Sequence, residues 1–300
     1  MNTLQKIEVQ ILNAFTDNDK GGNPAGVVLN ADNLTNEQKL KIAGKLGLSE
    51  TAFVSQSTSA DFKLDFFTPT RQIAHCGHAT IATFSYLSQQ GKVHNAYSSK
   101  ETIDGKREIL IQGDLAFMEQ KSPTYISVQS QKEKILDSLG LSEKDLIPRA
   151  PILIVNTGNS FAILPVVNQD TLKNIKPDFN LITQISDELD LIGYYVFCTQ
   201  TSNAGRNANA RMFAPRYGIE EESGTGMAAG PLACYLYDII GLKKDRILIE
   251  QGWFMNEPSP SLIIVDLTIE KEKITKIMAG GKGIAKTTRM IEFEILRIRC

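Results

Sequence analysis

One short stretch of the chain places a thiol between two imidazoles. It runs His75-Cys76-Gly77-His78, and only one further histidine lies elsewhere in the sequence. The apolar run that follows predicts a helix beginning near Gly77. The first turn of a helix carries N–H groups without intrahelical partners and a partial positive charge, so it attracts carboxylate or phosphate. Thiol, imidazole and anion-binding chemistry are therefore all open to this stretch.

A second stretch repeats this plan in the other half of the chain. Phe67-Thr68-Pro69 precedes the first stretch, and Phe213-Ala214-Pro215 precedes the second. A polar loop, a small nucleophilic residue, glycine and an apolar helix follow in both, with Ser223-Gly224 in the place of Cys76-Gly77. This order predicts an internal duplication of domain size. The predicted N–H donors of an anion site are those of Gly77, Gly224, Thr225 and Gly226.

Composition bounds the class of protein. The chain has 300 residues, enough for one large domain or two of about 150. Its 32 basic and 34 acidic residues give no indication of a nucleic-acid or membrane partner. No run approaches the roughly 18 apolar residues of a membrane span, and the N-terminus carries no signal region. The four cysteines show no paired spacing, so we expect a reduced, cytoplasmic protein.

Many short strands and a few helices must position these residues. Thr35 and Gln38 predict a capping box, and Gly47 predicts the end of that helix. Each half also holds one apolar helix rich in small residues, which suits a helix packed on all sides. A curved sheet around a central helix satisfies this pattern. We predict a turn at Gly113-Asp114 between two strands, a strand at 274–277, and Glu220 and Glu221 in a solvated loop. We predict halves at residues 1–120 and 121–300, with a last strand at about 290–298 that returns to the first half.

Eight segments that span almost the whole chain follow the motif order of a known family. They are Gly22-Asn23-Pro24, Ser49-Glu50-Thr51-Ala52-Phe53, Phe67-Thr68-Pro69, Cys76-Gly77-His78-Ala79-Thr80, Arg211-Met212-Phe213-Ala214-Pro215, Gly218-Ile219, Thr225-Gly226 and Glu250-Gln251-Gly252. On these segments the chain resembles the phenazine-biosynthesis-like (PhzF-like) isomerases of the diaminopimelate epimerase superfamily. The resemblance implies an α+β fold of two pseudo-symmetric halves, each a barrel-like, mostly antiparallel sheet around a central helix, with the active site in the cleft between them.

The resemblance also assigns site residues. The family's acid/base carboxylate falls on Glu50, its histidine on His78 and its second carboxylate, usually aspartate, on Glu222. Its serine at the second helix falls on Met227, which cannot donate a strong hydrogen bond. An arginine of the family pattern is also lost, with Glu257 in its place. Taken with the helix starts, the predicted substrate-binding residues are Cys76, Gly77, Ser223, Gly224, Thr225, Gly226 and Met227.

Two other chemistries stay open at the opening stretch. A metal site built from His75, Cys76 and His78 lacks further ligands at suitable spacing, so we expect no metal and no cofactor. A thiol at a helix start suits proton transfer at carbon, but racemisation needs a second group on the opposite face of the substrate. Ser223 stands there, and a serine hydroxyl is a poor acid or base without an activating partner.

We therefore expect a cofactor-independent isomerase that acts on a small, anionic, carboxylate-bearing substrate by intramolecular proton transfer. Glu50, His78 and Glu222 are the predicted catalytic residues. The alternatives are a cysteine-based racemase, epimerase or dehydratase, and a non-catalytic binding protein on the same fold. Because members of the family commonly form dimers, we also expect a homodimer.

Overall fold

The structure, a computed structural model, describes residues 3–295 and resolves them into two compact units. Within this range the first unit comprises residues 3–19, 23–118 and 281–295, and the second comprises residues 20–22 and 119–280. The strand predicted at 290–298 is present as far as Ile295, and residues 296–298 lie outside the described part of the chain. The predicted boundary between residues 120 and 121 stays a prediction.

The first unit consists of short strands and two helices. Its elements in chain order are β1 (Thr3–Ala14), β2 (Asn23–Val28), α1 (Asn36–Leu46), β3 (Thr51–Ser55), β4 (Phe62–Phe67), β5 (Gln72–Ile73), α2 (Gly77–Gln89), β6 (Tyr97–Thr102), β7 (Gly105–Gln112) and most of β8 (Leu115–Gln120). It is completed by the second part of the last strand, which is numbered β17 (Lys273–Ile295).

Eight strands of this unit close into a barrel. Hydrogen-bonded pairing runs β1–β2–β3–β4–β6–β7–β8–β17 and returns from β17 to β1. Only the β2–β3 and β4–β6 pairs among those with a defined register are parallel. A closed barrel has no exposed strand edge, so these short strands satisfy their backbone groups without a long sheet.

Helix α2 occupies the centre of this barrel. Residues 77–85 are all buried, and the helix contacts β1, β2, β3 and β7. Gly283 of β17 lies so close that a Cβ on it would stand 2.9 Å from Ala82 Cα. Only glycine permits this approach. Helix α1 packs outside the barrel, where Ile42, Ala43 and Leu46 join a core with β1, β3 and β17 residues.

The local signals predicted for α1 are confirmed. Thr35 Oγ1 accepts a hydrogen bond from Gln38 N, and the Gln38 side chain accepts one from Thr35 N. Gly47 adopts a left-handed conformation with φ of 72° and ends the helix. A left-handed residue after the last turn lets the chain leave at a sharp angle. The chain therefore reaches Glu50 only three residues after the helix cap.

The second unit carries the larger set of elements. They are β9 (Thr124–Ser127), α3 (Lys132–Asp137), β10 (Leu153–Asn156), β11 (Ser160–Pro165), α4 (Gln169–Lys173), α5 (Phe179–Glu188), β12 (Gly193–Cys198), β13 (Ala208–Ala214), β14 (Ile219–Glu222), α6 (Gly226–Tyr235), β15 (Arg246–Gln251), β16 (Ser261–Glu270) and the first part of β17. Short 3₁₀ turns lie at Gln129–Gln131, Glu143–Asp145 and Pro215–Tyr217, and a π-helical turn, Leu236–Ile240, extends α6.

The pairing order of the second unit repeats that of the first. In the first unit the strands pair in the order β1–β2–β3–β4–β6–β7–β8. The second pair, β2–β3, and the fourth, β4–β6, are parallel, and the other pairs are antiparallel. In the second unit the order is β10–β11–β12–β13–β15–β16–β17. Again the second pair, β11–β12, and the fourth, β13–β15, are parallel, and the other pairs are antiparallel. Helices α2 and α6 follow the equivalent strands β5 and β14. The predicted duplication is confirmed.

Helix α6 is the counterpart of α2 in its burial as well as in its order. Every residue of α6 except Met227 is buried. The outer core of this unit lies elsewhere, where Leu172, Ile182 and Ile185 of α4 and α5 pack against strand residues such as Tyr194 and Val196. Among the described residues, no helix combines the length and the apolar character needed to cross a bilayer.

Three features differ from the sequence-based expectations. Residues 219–222 form strand β14 instead of a loop, because Ile219 and Glu222 pair with β13. Glu221, expected in solvent, makes a two-pronged ion pair with Arg211 and its side chain is only 14% exposed. The segments predicted as a strand at 274–277 and a separate last strand belong to one strand, β17, in which Gly283 packs closely against α2 without breaking the strand.

Candidate active site

The first unit brings three predicted site residues together at the start of α2. Glu50, Cys76 and His78 are 8%, 6% and 5% exposed, respectively. His78 Nε2 lies 3.3 Å from Glu50 Oε2, and its Nδ1 lies 3.6 Å from Cys76 Sγ. The imidazole therefore lies close to both a carboxylate and a thiol. Such a cluster of proton-carrying groups suits general acid–base chemistry.

Two backbone features hold these side chains in place. Glu50 directly precedes β3, and its carbonyl oxygen accepts a hydrogen bond from Gly26 N at 3.0 Å. Cys76 is the N-cap residue of α2, with extended backbone angles, and His78 is the second residue of the helix. The Cys76 side chain does not cap the helix, so the thiol remains directed to the imidazole.

Burial sets the protonation state of the thiol. It raises the pKa of Cys76, and the nearby Glu50 carboxylate raises it further, against the opposing effect of His78. A neutral thiol has a hydrogen to share with His78 Nδ1. Cys76 is therefore a neutral thiol in the resting protein and not a thiolate base. The helix start does not outweigh desolvation here.

A buried lysine on β6, which was not predicted from residue types or spacing, supports this cluster. Lys100 Nζ donates to Thr80 Oγ1 at 2.6 Å, and Thr80 Oγ1 donates to the Cys76 carbonyl at 2.6 Å. The same amine lies 3.0 Å from His75 Nδ1 and 5.0 Å from the centre of the Phe66 ring. Burial lowers the pKa of Lys100 well below its ordinary value.

His75 belongs to this supporting network and not to the carboxylate–imidazole–thiol cluster. Burial and the adjacent Lys100 lower its pKa well below the usual range, so the ring is neutral. Its edge-to-face contact with Phe66 fixes its plane. The third histidine, His94, is exposed. Of the three histidines, only His78 is therefore placed beside Glu50.

The second unit holds the start of α6 through a buried glutamine. Gln251 Oε1 accepts from Thr225 N at 3.0 Å and from the Tyr195 hydroxyl at 2.8 Å. Gln251 Nε2 donates to the Glu222 carbonyl at 2.7 Å and to Thr225 Oγ1 at 3.1 Å. The amide thus uses two acceptor and two donor positions, its full capacity. It fixes the turn between Glu222 and the helix.

A second buried glutamine holds the same helix at its first residue. Gln120 Nε2 donates to the Gly226 carbonyl at 2.9 Å, and Gln120 Oε1 accepts from Thr157 Oγ1 at 2.7 Å. Gly230 leaves room for this side chain, because a Cβ there would stand 2.0 Å from Gln120 Oε1. The small residues of α6 therefore serve close packing and allow a polar clamp on the helix.

The predicted anion-binding residues of this unit are partly engaged already. Thr225 N donates to Gln251, and the Thr225 hydroxyl donates to a Glu222 carboxylate oxygen. Ser223 Oγ donates to the Gly22 carbonyl at 3.1 Å. Gly224 and Gly226 are buried beside them, and Met227 is half-buried in the first turn. The roles predicted for these residues stay predictions.

The helix starts refine the match between the two repeats. Helix α2 begins at Gly77 and α6 begins at Gly226, so their N-cap residues are Cys76 and Thr225. The sequence comparison had set Cys76 against Ser223. Aligned by the helices, the counterpart of the thiol is a hydroxyl that donates to Glu222. In neither alignment does a second cysteine occupy the equivalent position.

Comparison with known proteins places the chain in one family. The profile of the family described as "Phenazine biosynthesis-like protein" matches residues 12–289. The uncharacterized isomerase YddE of Escherichia coli (strain K12) is 31% identical, with 93% of this chain and 96% of that protein covered. The trans-2,3-dihydro-3-hydroxyanthranilate isomerase of Pseudomonas fluorescens is 28% identical, with coverage of 91% and 95%.

Solved structures agree with this family. A PhzF-family phenazine biosynthesis protein of Bacillus anthracis superposes with a TM-score of 0.84 at 30% identity, covering 97% of this chain and 99% of that one. A hydroxyproline epimerase from Agrobacterium vitis superposes with a TM-score of 0.56 at 11% identity, covering 96% and 91%. The second likeness concerns the fold alone. The α+β, epimerase-like fold predicted from the sequence is confirmed.

Proposed function

This chain belongs to the phenazine biosynthesis-like (PhzF-like) family and is an isomerase, and we propose that it acts by moving a proton between carbon atoms of a small carboxylate-bearing substrate without a cofactor. The observation that carries the proposal is the buried pair of Glu50 and His78, with 3.3 Å between carboxylate and imidazole. A carboxylate held out of water beside an imidazole can take a proton from carbon and return it.

Each residue of the cluster has a distinct role in this proposal. Glu50 abstracts the proton from carbon as a carboxylate and, once protonated, delivers it to a second carbon of the same substrate. His78 orients Glu50 and donates to substrate oxygen or to Glu50 as charge develops. The N–H groups at the start of α2 bind an anionic group of the substrate, to which a helix end contributes about 0.3–1 kcal/mol. Proton transfer must supply the larger share of the rate, since enzymes commonly accelerate reactions a millionfold or more.

The substrate class follows the relatives only as a starting point. The P. fluorescens relative is named for trans-2,3-dihydro-3-hydroxyanthranilate, a small carboxylate. Met227 and Glu222 stand where the family pattern has serine and aspartate, so we propose a related carboxylate and not necessarily the same compound. The screen that identifies it is incorporation of solvent deuterium into candidate carboxylates, with trans-2,3-dihydro-3-hydroxyanthranilate as the first, followed by proton NMR.

The test of the proposal is Glu50→Gln. Removal of the acid/base should reduce kcat by 10²-fold or more, the range for general acid–base groups, and leave the binding of substrate largely intact. Glu220→Gln is the matched control, because Glu220 is an exposed glutamate of the same chain. Turnover by NMR on the substrate found in the screen measures both. Equal activity of the two variants would remove Glu50 from the mechanism.

The cysteine-based alternative rests on Cys76, and its position disfavours that alternative. Burial raises the pKa of this thiol, and the counterpart of Cys76 in the second repeat is a hydroxyl. Cys76→Ser separates the two mechanisms. If the alternative holds, this variant loses turnover as completely as Glu50→Gln should in our proposal, and Glu50→Gln retains it.

A further inference from the structure

The cluster at the start of α2 combines three side chains whose types are all ligands of Zn²⁺ in proteins. The ligand atoms of Glu50, Cys76 and His78 all lie within 4.8 Å of one another, and all three residues are buried. Thiolate, imidazole and carboxylate are the usual ligands of Zn²⁺, and catalytic or exchangeable zinc sites use three protein ligands and leave one position open. From this geometry we propose that Glu50, Cys76 and His78 form a Zn²⁺-binding site that competes with proton transfer.

The distance between sulfur and nitrogen fits one ion. Zn–S bonds of about 2.3 Å and Zn–N bonds of about 2.0 Å at a tetrahedral angle place the two ligand atoms about 3.5 Å apart. Cys76 Sγ and His78 Nδ1 are 3.6 Å apart. Glu50 lies nearer the other ring nitrogen, so its carboxylate must move toward the ion to complete the site. Its side chain is long enough to do so by rotation about its own bonds.

The charge balance favours the ion in this buried place. Binding converts the Cys76 thiol to a thiolate, with a Zn–S bond formed and the proton released to solvent. One thiolate and one carboxylate then neutralise the two positive charges of the ion, which removes the cost of burying separate charges. Soft and borderline ions gain most from the thiolate, whereas Mg²⁺ prefers oxygen ligands.

The sequence concealed this site because its third ligand comes from another element. His75, Cys76 and His78 are adjacent in the chain, but His75 contacts Lys100 and is not part of the cluster. Glu50 replaces it from the segment before β3. The resulting ion holds the carboxylate that our proposed function requires for proton transfer. Zinc binding itself is independent of that function, and only the expected inhibition rests on it.

Competition for Zn²⁺ against a chromophoric chelator tests the site. We expect the metal-free protein to bind one Zn²⁺ per chain, with 1 mM Mg²⁺ (about the cellular level) unable to displace it. Cys76→Ser, His78→Asn and Glu50→Gln should each weaken binding at least tenfold. Cys198→Ser and Cys234→Ser remove buried thiols outside the cluster and should leave the affinity within twofold. No binding by the wild-type protein, or equal binding by Cys76→Ser, overturns the proposal.

Two further measurements keep the result unambiguous. Co²⁺ added to the wild-type protein should give the intense visible bands of a tetrahedral ion and a thiolate charge-transfer band, so the ligands can be identified even if Cys76→Ser misfolds. Absence of the thiolate band overturns the proposal. Zn²⁺ should also inhibit turnover, with recovery on chelation. Binding without inhibition upholds the site and instead contradicts the role of Glu50 in proton transfer.

Discussion

At the scale of single residues, His78 is the group on which the first-unit site depends. Its two ring nitrogens face different partners, Glu50 and Cys76, and each partner restricts the hydrogen that the ring can carry. These two contacts restrict the orientation of the ring.

Replacement of this ring should affect turnover strongly. His78→Asn removes the group beside Glu50, and we expect kcat to fall about 100-fold, at the lower end of the range for acid–base partners. His94→Asn is the matched control, since His94 is exposed and distant in sequence from the cluster. Steady-state turnover by NMR measures both. Similar kcat values for the two variants would show that the imidazole only fills space.

Sequence reasoning found some of these residues and could not find others. A thiol and an imidazole at a helix start are visible from residue types, and the family pattern supplied Glu50. Lys100 was missed, because it lies in a strand whose inward residues Ser98, Lys100 and Thr102 are polar and show no apolar alternation. Gln251 was recognised only as part of the motif Glu250-Gln251-Gly252. Its four hydrogen bonds join separate elements, which no local pattern encodes.

At the scale of elements, the start of α6 depends on side chains from neighbouring strands. Helix α6 has no side-chain cap of its own, and its N-terminal turn is held by Gln251 on β15 and Gln120 at the end of β8. Such external support places a helix end more rigidly than a single capping residue, because the clamps belong to the sheet. The turn that carries Glu222 is fixed with it.

Loss of the Gln251 amide should therefore cost both stability and function. Gln251→Leu leaves Thr225 N and the Glu222 carbonyl buried without this partner, and we expect the free energy of unfolding to fall by about 1–3 kcal/mol. Urea unfolding measures this change. Gln184→Leu, at an exposed glutamine that contacts Glu188, should change it by less than about 0.5 kcal/mol. If Gln251 positions Glu222 for catalysis, kcat of the folded variant, measured without urea, also falls. An unchanged kcat would assign Gln251 a structural role alone.

Element predictions succeeded where local chemistry decides the outcome. The capping box and glycine end of α1 were readable, as was the hairpin through Gly113 between β7 and β8. Strands β5, β6 and β14 were not predicted. Strand β5 has only two residues, β14 has four of which three are glutamates, and the buried residues of β6 are polar. Strand β17 was predicted as two separate strands, but it is continuous and its Gly283 lies against α2. Tertiary packing set those outcomes.

At the scale of the whole molecule, two buried bases, Lys100 and His75, link global stability to pH. The pKa of Lys100 and that of His75 are both lowered well below their ordinary values by burial. Between the folded pKa and the unfolded value, the unfolded chain binds a proton that the folded chain does not. Stability therefore rises with pH across this window. It is lost as pH falls from the unfolded pKa, which is 10.5 for Lys100 and 6.5 for His75, to the lower folded pKa.

The lysine component can be isolated by difference. We expect the free energy of unfolding of the wild-type protein, minus that of Lys100→Met, to increase by up to about 1.4 kcal/mol per pH unit between pH 8 and 10. Urea unfolding at several pH values measures it, and other titrating groups cancel in the subtraction. Lys144→Met, at an exposed lysine, should run parallel to the wild type. A parallel curve for Lys100→Met as well would mean that Lys100 is charged in the folded protein.

The position of β17 in the barrel has a consequence for folding during synthesis on the ribosome. Translation proceeds from the N-terminus, yet the barrel of the first unit is closed by residues 281–295, against β1. Residues 119–280 must be made first, which takes about 10–30 s at typical synthesis rates. During that interval the nascent first unit exposes the edge of β1 that β17 will later cover. An exposed strand edge invites wrong pairing, so this chain should need chaperone protection until its last strand leaves the exit tunnel.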